Sequence, residues 1–195
     1  MLKNPIIAAI LCVIIVVSST VINAHVRLDS WCDSFRDEFH AAGGIAEQLD
    51  RIGTASTGVV KIAESYGLET AETEDLCQSL RYAVAYTEPS GLADLYRMLN
   101  GEVSDLSMSL RQKDLSQKDQ AMLDAYTAEI EEAKAAISSD SYNTDVTHFL
   151  RDELGSFSCG FVRLCGVKLP SAFRAFHARW QASAMPGAKR ESSRM

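Results

Sequence analysis

The chain has no excess of positive charge: 26 Asp and Glu outweigh 19 Lys and Arg over 195 residues, leaving a net charge of -7. Nucleic-acid binders need clustered Lys and Arg to displace counterions from phosphates, so that class of partner is set aside. Also absent are G-x-S-x-G, H-E-x-x-H and a glycine-rich phosphate loop, the local arrangements that present a nucleophile, hold zinc or cradle a nucleotide. No C-x-x-C occurs; the nearest thiols, Cys159 and Cys165 in SCGFVRLCG, are too widely spaced for a thioredoxin-like or zinc-knuckle pair. Two readings of that pair stay open, a local disulfide in an oxidising compartment or two buried thiols. No residue is assigned a catalytic, cofactor-binding or metal-binding role.

What is present is a composition of 47% hydrophobic and 23% charged residues, that of a folded chain with material for one core rather than of a disordered or multi-span protein. The hydrophobic residues are unevenly placed. Residues 6–24 read IIAAILCVIIVVSSTVINA without a single charge. As a helix these residues rise about 28 Å, close to a hydrocarbon core, and in lipid a lone segment must be helical to satisfy its own backbone. The expectation is a retained single-pass anchor behind a short N-terminus of residues 1–5, with lipid as the partner of residues 6–24. The rival is a cleaved signal peptide, with Lys3 as charged start and small residues at Ser18, Ser19 and Ala24 as the cleavage region. Against it, bulky Ile22 lies two residues before Ala24, and the segment beyond keeps helical register. Lys3 on one side and Arg27 and Arg36 on the other leave the orientation open.

Beyond the anchor, apolar or small residues recur at Leu28, Cys32, Phe35, Phe39, Ala42, Ala46, Leu49 and Ile52, with Trp31 and Ile45 widening the stripe. That period predicts an amphipathic helix continuing from the anchor, bent but unbroken at Gly43-Gly44. A second helix is expected over 55–66, ending at Gly67 as a left-handed cap. The acidic run at Glu72, Glu74 and Asp75 lacks the spaced ligands and central glycine of a calcium loop, and is read as the first turn of a third helix carrying Leu76, Leu80, Ala83 and Val84. A turn over 88–91 precedes Leu92, Leu95, Tyr96, Leu99, Val103, Leu106 and Leu110, whose near-heptad spacing suits either a coiled-coil partner or one helix of an antiparallel bundle. Asn100-Gly101 falls on the polar face of that helix and marks a candidate kink.

Ser116 and Asp119 approximate a capping box opening a helix striped by Met122, Tyr126, Ile130, Ala133 and Ile137. A five-residue step to Tyr142 interrupts the phase before Val146, Phe149, Leu150 and Leu154, and one long imperfect helix is the expectation. A Gly-rich apolar stretch then leads to Pro170 and a short helix with Phe173, Phe176, His177 and Trp180. Residues 183–195 are expected to be a disordered polar tail. Of the four histidines, His148 shares a helical surface with Asp145, Asp152 and Glu153, a spacing open to acid–base or metal chemistry but equally to solvated charge pairing.

The segment LDAYTAEIEEAKAAISSDSYNTDVTHFLRDELGSFSCGFVRLCGVKLPSAF, residues 123–173, resembles the LemA family of bacterial proteins. Tyr142-Asn143, Val146, Phe149, Phe157, Gly166, Pro170 and Phe173 fall where that family places a Tyr-Asn pair, a following Val, an aromatic, a Phe-Pro corner, a Phe-Gly-Phe turn and a final Phe. The first half shares only Asp50-Arg51-Ile52 and VVKIAESYGLE, though the order of anchor and helices is similar throughout. The resemblance implies a divergent member: an all-α antiparallel helical bundle over residues 25–182, about four helices tied to the membrane, with no established enzymatic activity. Two functional expectations follow. One is a non-enzymatic membrane-anchored scaffold or interaction module with a protein partner or a homo-oligomer; the other is a secreted or periplasmic small-ligand binder or hydrolase using His148.

Overall fold

A computed structural model of the chain describes residues 5–86, 89–153 and 170–173. Among them are six α-helices and no strand: α1 (Pro5–Phe39), α2 (Ile45–Ser65), α3 (Ala71–Tyr86), α4 (Pro89–Arg111), α5 (Gln117–Ser139) and α6 (Tyr142–His148), which runs into a π-helical turn (Phe149–Glu153). The expected all-α class is observed. Residues 1–4, the Cys159 and Cys165 pair, Phe157, Gly166, His177, Trp180 and the polar tail lie outside the described residues, as does the side chain of Glu153.

α1 is one uninterrupted helix, and its window richest in apolar residues has a mean hydropathy of 2.7 with none of it buried. It is long and apolar enough to cross a membrane. The helix does not continue through Gly43-Gly44, contrary to the period. Gly43 adopts φ +80, a left-handed conformation that ends a helix and that glycine takes without a Cβ penalty. A Cβ on Gly44 would sit 2.8 Å from the Glu38 carbonyl oxygen, so the chain folds back too tightly for a side chain there. The new helix is fastened at once, since the Gly43 N–H donates to Glu47 Oε2 at 2.6 Å and Gln48 Nε2 donates to the Gly43 carbonyl at 3.3 Å. The helix expected from residue 55 therefore starts ten residues earlier, at Ile45. Its end is as expected, with Gly67 at φ +69.

α2 is the central rod, packed against α3, α4 and α5. Its neighbours α3 and α5 run antiparallel to it: Arg81 of α3 donates to Asp50 at 3.3 Å, Arg51 approaches Glu129 of α5 at 3.6 Å, and Tyr66 reaches Asp119 at the start of α5. Such exposed ion pairs orient the helices but add little stability, about 0–1 kcal/mol each. Packing supplies more. Leu49, Ile52, Val59 and Ala63 are sealed by Leu80, Leu92, Leu99, Leu110 and Leu123 in one core. Small residues on α2 permit the close approach: a Cβ on Gly58 would lie 2.5 Å from the Tyr126 ring.

α4 opens with Pro89 in the first turn, where the missing N–H costs nothing, so Ser90 and Gly91 belong to the helix rather than to the turn expected there. It passes Asn100-Gly101 without a break. Its heptad-like stripe faces inward: Leu92, Tyr96, Leu99, Val103, Leu106 and Leu110 are all buried against the bundle. α5 begins at the expected cap, where the Asp119 N–H donates to Ser116 Oγ at 3.1 Å. It does not run on to Leu154. Asp140 leaves helical geometry as the C-cap of α5, and its carboxylate accepts the Tyr142 N–H at 2.8 Å at the start of a separate α6, whose N-cap is Ser141. The phase slip seen in the sequence is thus a true break.

α6 lies antiparallel to the last turns of α1. Phe39 stacks near Tyr142 at 5.3 Å, Phe35 near Phe149 at 5.3 Å and Trp31 near Phe149 at 5.6 Å, between ring centroids. Residues 170–173 are not helical, contrary to the short helix expected from Pro170. Phe173, 1% exposed, instead plugs the junction between Phe39 and Tyr96. The distal part of α1 is in this way bonded into the bundle while its proximal part is bare.

Candidate functional site

The arrangement best suited to hold something lies where α1 and α6 diverge. Residues four apart on α1 share a face, which sets Trp31 above Phe35 and leaves Glu38 one turn further along. On α6 the same logic aligns Asp145, His148, Phe149 and Asp152. The two faces enclose an open groove of about 370 Å³, completed by Ser34. Its floor is aromatic: Phe35 and Phe149 are buried, and Trp31 stays 40% exposed with a ring surface towards solvent. Its rim is polar and mostly acidic.

The charges on the rim are not equivalent. Arg151 donates to Asp152 through Nε at 2.7 Å and Nη2 at 3.1 Å, and this pairing holds the Asp152 carboxyl below the usual carboxylate range. Arg151 Nη2 also lies 2.9 Å from His148 Nδ1. A guanidinium can only donate, so in this contact Nδ1 is the acceptor. Nδ1 also approaches Asp152 Oδ2 at 3.6 Å. Glu38 accepts a hydrogen bond from Ser141 Oγ at 3.1 Å. Asp145 has no side-chain partner among the described residues.

For hydrolysis, a base must stand within hydrogen-bond reach of a nucleophile. Ser34 is the hydroxyl in the groove, and no hydrogen bond joins it to His148 among the described residues. His25 pairs with Asp29 at 2.8 Å on α1, and His40 packs its ring against Phe39, so neither is near the groove's polar rim. No cluster of three metal-ligating side chains occurs among the described residues. Cys12, Cys32 and Cys77 carry thiols rather than disulfides, and burial raises the Cys32 and Cys77 pKa values, favouring the unreactive protonated form. The acidic first turn of α3 is solvent-exposed.

Sequence reasoning grouped His148 with Asp145 and Asp152, and the structure places all three on one rim. It did not bring Trp31, Phe35 and Glu38 to the same place, because nothing in spacing links two segments more than a hundred residues apart. Tyr142, singled out with Asn143, is a packing residue. Its hydroxyl donates to the Ser171 carbonyl at 3.0 Å, and burial pushes its pKa up to about 12. Asn143 Oδ1 is buried without a hydrogen-bond partner among the described residues.

No family model, no curated protein and no solved structure matches this chain.

Proposed function

We propose that the chain is a non-enzymatic, membrane-anchored helical-bundle protein, a single-pass scaffold or interaction module of the LemA type, retained at the cell membrane through residues 6–24. The observation that carries this reading is the bare apolar surface of α1. Eleven large side chains between Ile6 and Val26 are exposed by 40–67%. At roughly 2 kcal/mol per fully buried aliphatic side chain, returning them to an apolar medium gains on the order of 10 kcal/mol. That equals the whole stability of an ordinary domain, so water is not this helix's solvent. The continuity of α1 into the bundle favours a retained anchor over a signal segment, whose removal at residue 24 would cut through a helix rather than a loop.

The apolar stripe on α4 and most of that on distal α1, Trp31 excepted, are consumed within the fold. An interaction surface must therefore be sought on the polar faces or within the bilayer. Cross-linking and mass measurement of the full chain in native-lipid particles tests this. A reproducible hetero-complex or homo-oligomer is expected, and a lone monomer in every preparation contradicts the scaffold reading.

The groove between α1 and α6 favours a second reading, a binder of small ligands. Its concave shape and aromatic floor, with polar groups converging from the rim, suit such a ligand. The groove does not require the anchor to be cleaved. For the hydrolase variant, no nucleophile is hydrogen-bonded to His148 among the described residues.

A further inference from the structure

We propose that the groove between α1 and α6 binds a compact organic cation of the quaternary-ammonium class, with Trp31 as its aromatic face and Glu38 and Asp145 as its counter-charges. This deepens the small-ligand reading of the same groove and rests on it. Three observations converge. First, Trp31 stays 40% exposed in the groove beside the buried Phe35 and Phe149, and its indole is the side chain with the strongest attraction for a cation over its face. Second, of the three rim carboxylates, Asp152 is already neutralised by Arg151, whereas among the described residues Glu38 receives only a neutral hydroxyl and Asp145 nothing. Two negative charges thus remain unanswered beside one aromatic face. Third, the Arg151 guanidinium is taken up by Asp152 and lies 2.9 Å from His148 Nδ1, and among the described residues it pairs with neither Glu38 nor Asp145.

The chemistry selects among cations. A metal ion prefers several converging oxygen ligands, and the groove offers two carboxylates separated by an aromatic floor. A phosphate or carboxylate ligand meets like charge. A diffuse, weakly hydrated cation loses little on leaving water and gains from both ring and carboxylates. The source of such a group is either a free solute or a lipid headgroup. Trp31 lies about 10 Å along α1 from residue 24, just past the headgroup layer of a bilayer that ends the span there.

The test uses the full chain with Trp180→Phe, so that fluorescence reports Trp31, and chloride held constant. In detergent carrying no ammonium group, choline is titrated against its uncharged isostere 3,3-dimethylbutan-1-ol. Saturable quenching by choline in the millimolar range is expected, at least tenfold tighter than any effect of the isostere. Asp145→Asn, isosteric and exposed, is expected to weaken choline binding fivefold or more with an unchanged circular dichroism spectrum. Trp31→Leu is expected to remove the saturation-transfer signal of the choline methyl protons. In nanodiscs of phosphatidylcholine the groove is expected to be already occupied, with the fluorescence shifted and added choline without effect, if the headgroup is the source. In phosphatidylglycerol nanodiscs the free-choline titration is expected to persist. Equal binding of choline and the isostere overturns the cation proposal while leaving a ligand groove. No saturable response to either overturns both it and the small-ligand reading, and leaves the membrane-anchor reading untouched.

Discussion

The two ends of α1 are parts of one unbroken helix, and they differ in what surrounds them. From Ile6 to Val17 every large side chain is bare, while from Leu28 to Phe39 the residues at steps of four and three are covered by α6, Phe149 and Phe173. Backbone conformation is therefore no guide to environment. The proximal end carries branched aliphatics on all faces, the pattern of a helix with no polar side. The distal end carries one apolar stripe, with Asp29, Asp33, Arg36 and Asp37 on the solvent side. A continuous helix transmits the tilt of the first part to the position of the second, so in the proposed anchored state the proximal end sets how the bundle stands.

Four substitutions bear on the difference between the two ends of α1 and on the bundle behind them, in decreasing order of expected effect. Phe35→Ala removes a ring packed between Trp31, Tyr142 and Phe149, and unfolding of the solubilised chain in denaturant should show a loss of about 3–5 kcal/mol. Val13→Arg, on the bare end, should leave that unfolding midpoint alone and instead weaken membrane insertion by about 2.5–3.5 kcal/mol, read as the inserted fraction in a glycosylation-mapping assay. A reversal of these two results would mean that the ends of α1 had been assigned to the wrong solvents.

Gly58→Ala lies far from both, in the bundle, where the new methyl meets the Tyr126 ring; a loss of about 1–3 kcal/mol is expected in the same denaturant titration. The smallest effect is in acid. Ser116 Oγ and Tyr66 Oη both donate to Asp119 Oδ2, at 2.6 and 2.8 Å, and hold that carboxyl below its ordinary pKa. A lowered folded pKa means that its stabilisation is fully present above about pH 4 and is lost as pH falls through the folded value. Asp119→Asn should flatten this part of the acid-unfolding curve, and an unchanged curve would remove the network from the account.

Much of the helical layout could be read from the residues. The α3 start at its acidic turn, the α5 cap at Ser116 and the Gly67 terminus depend on local chemistry, and local chemistry is written in the sequence. The break at residues 40–44 was hidden by coincidence. Phe39 and Ala46 are seven residues apart, two helical turns, so a tight turn that replaces helix here preserves the apolar phase. Ala42, which the stripe placed inside, is exposed. The break at Asp140 was visible as a slip in phase, but only the capping of the Tyr142 N–H distinguishes a break from a bend. Of the groove, the His148 rim follows from helical spacing and the Trp31 floor does not, since antiparallel docking of α1 and α6 is tertiary. The heptad-like spacing in α4 had two equal explanations, and burial within the bundle selects one.

The central claim is that α1 remains a single helix spanning two environments. The most direct test is the intact mass of the chain recovered from membranes washed at alkaline pH. The account predicts a membrane-retained chain with residues 6–24 still attached. A soluble chain beginning near His25 would contradict it.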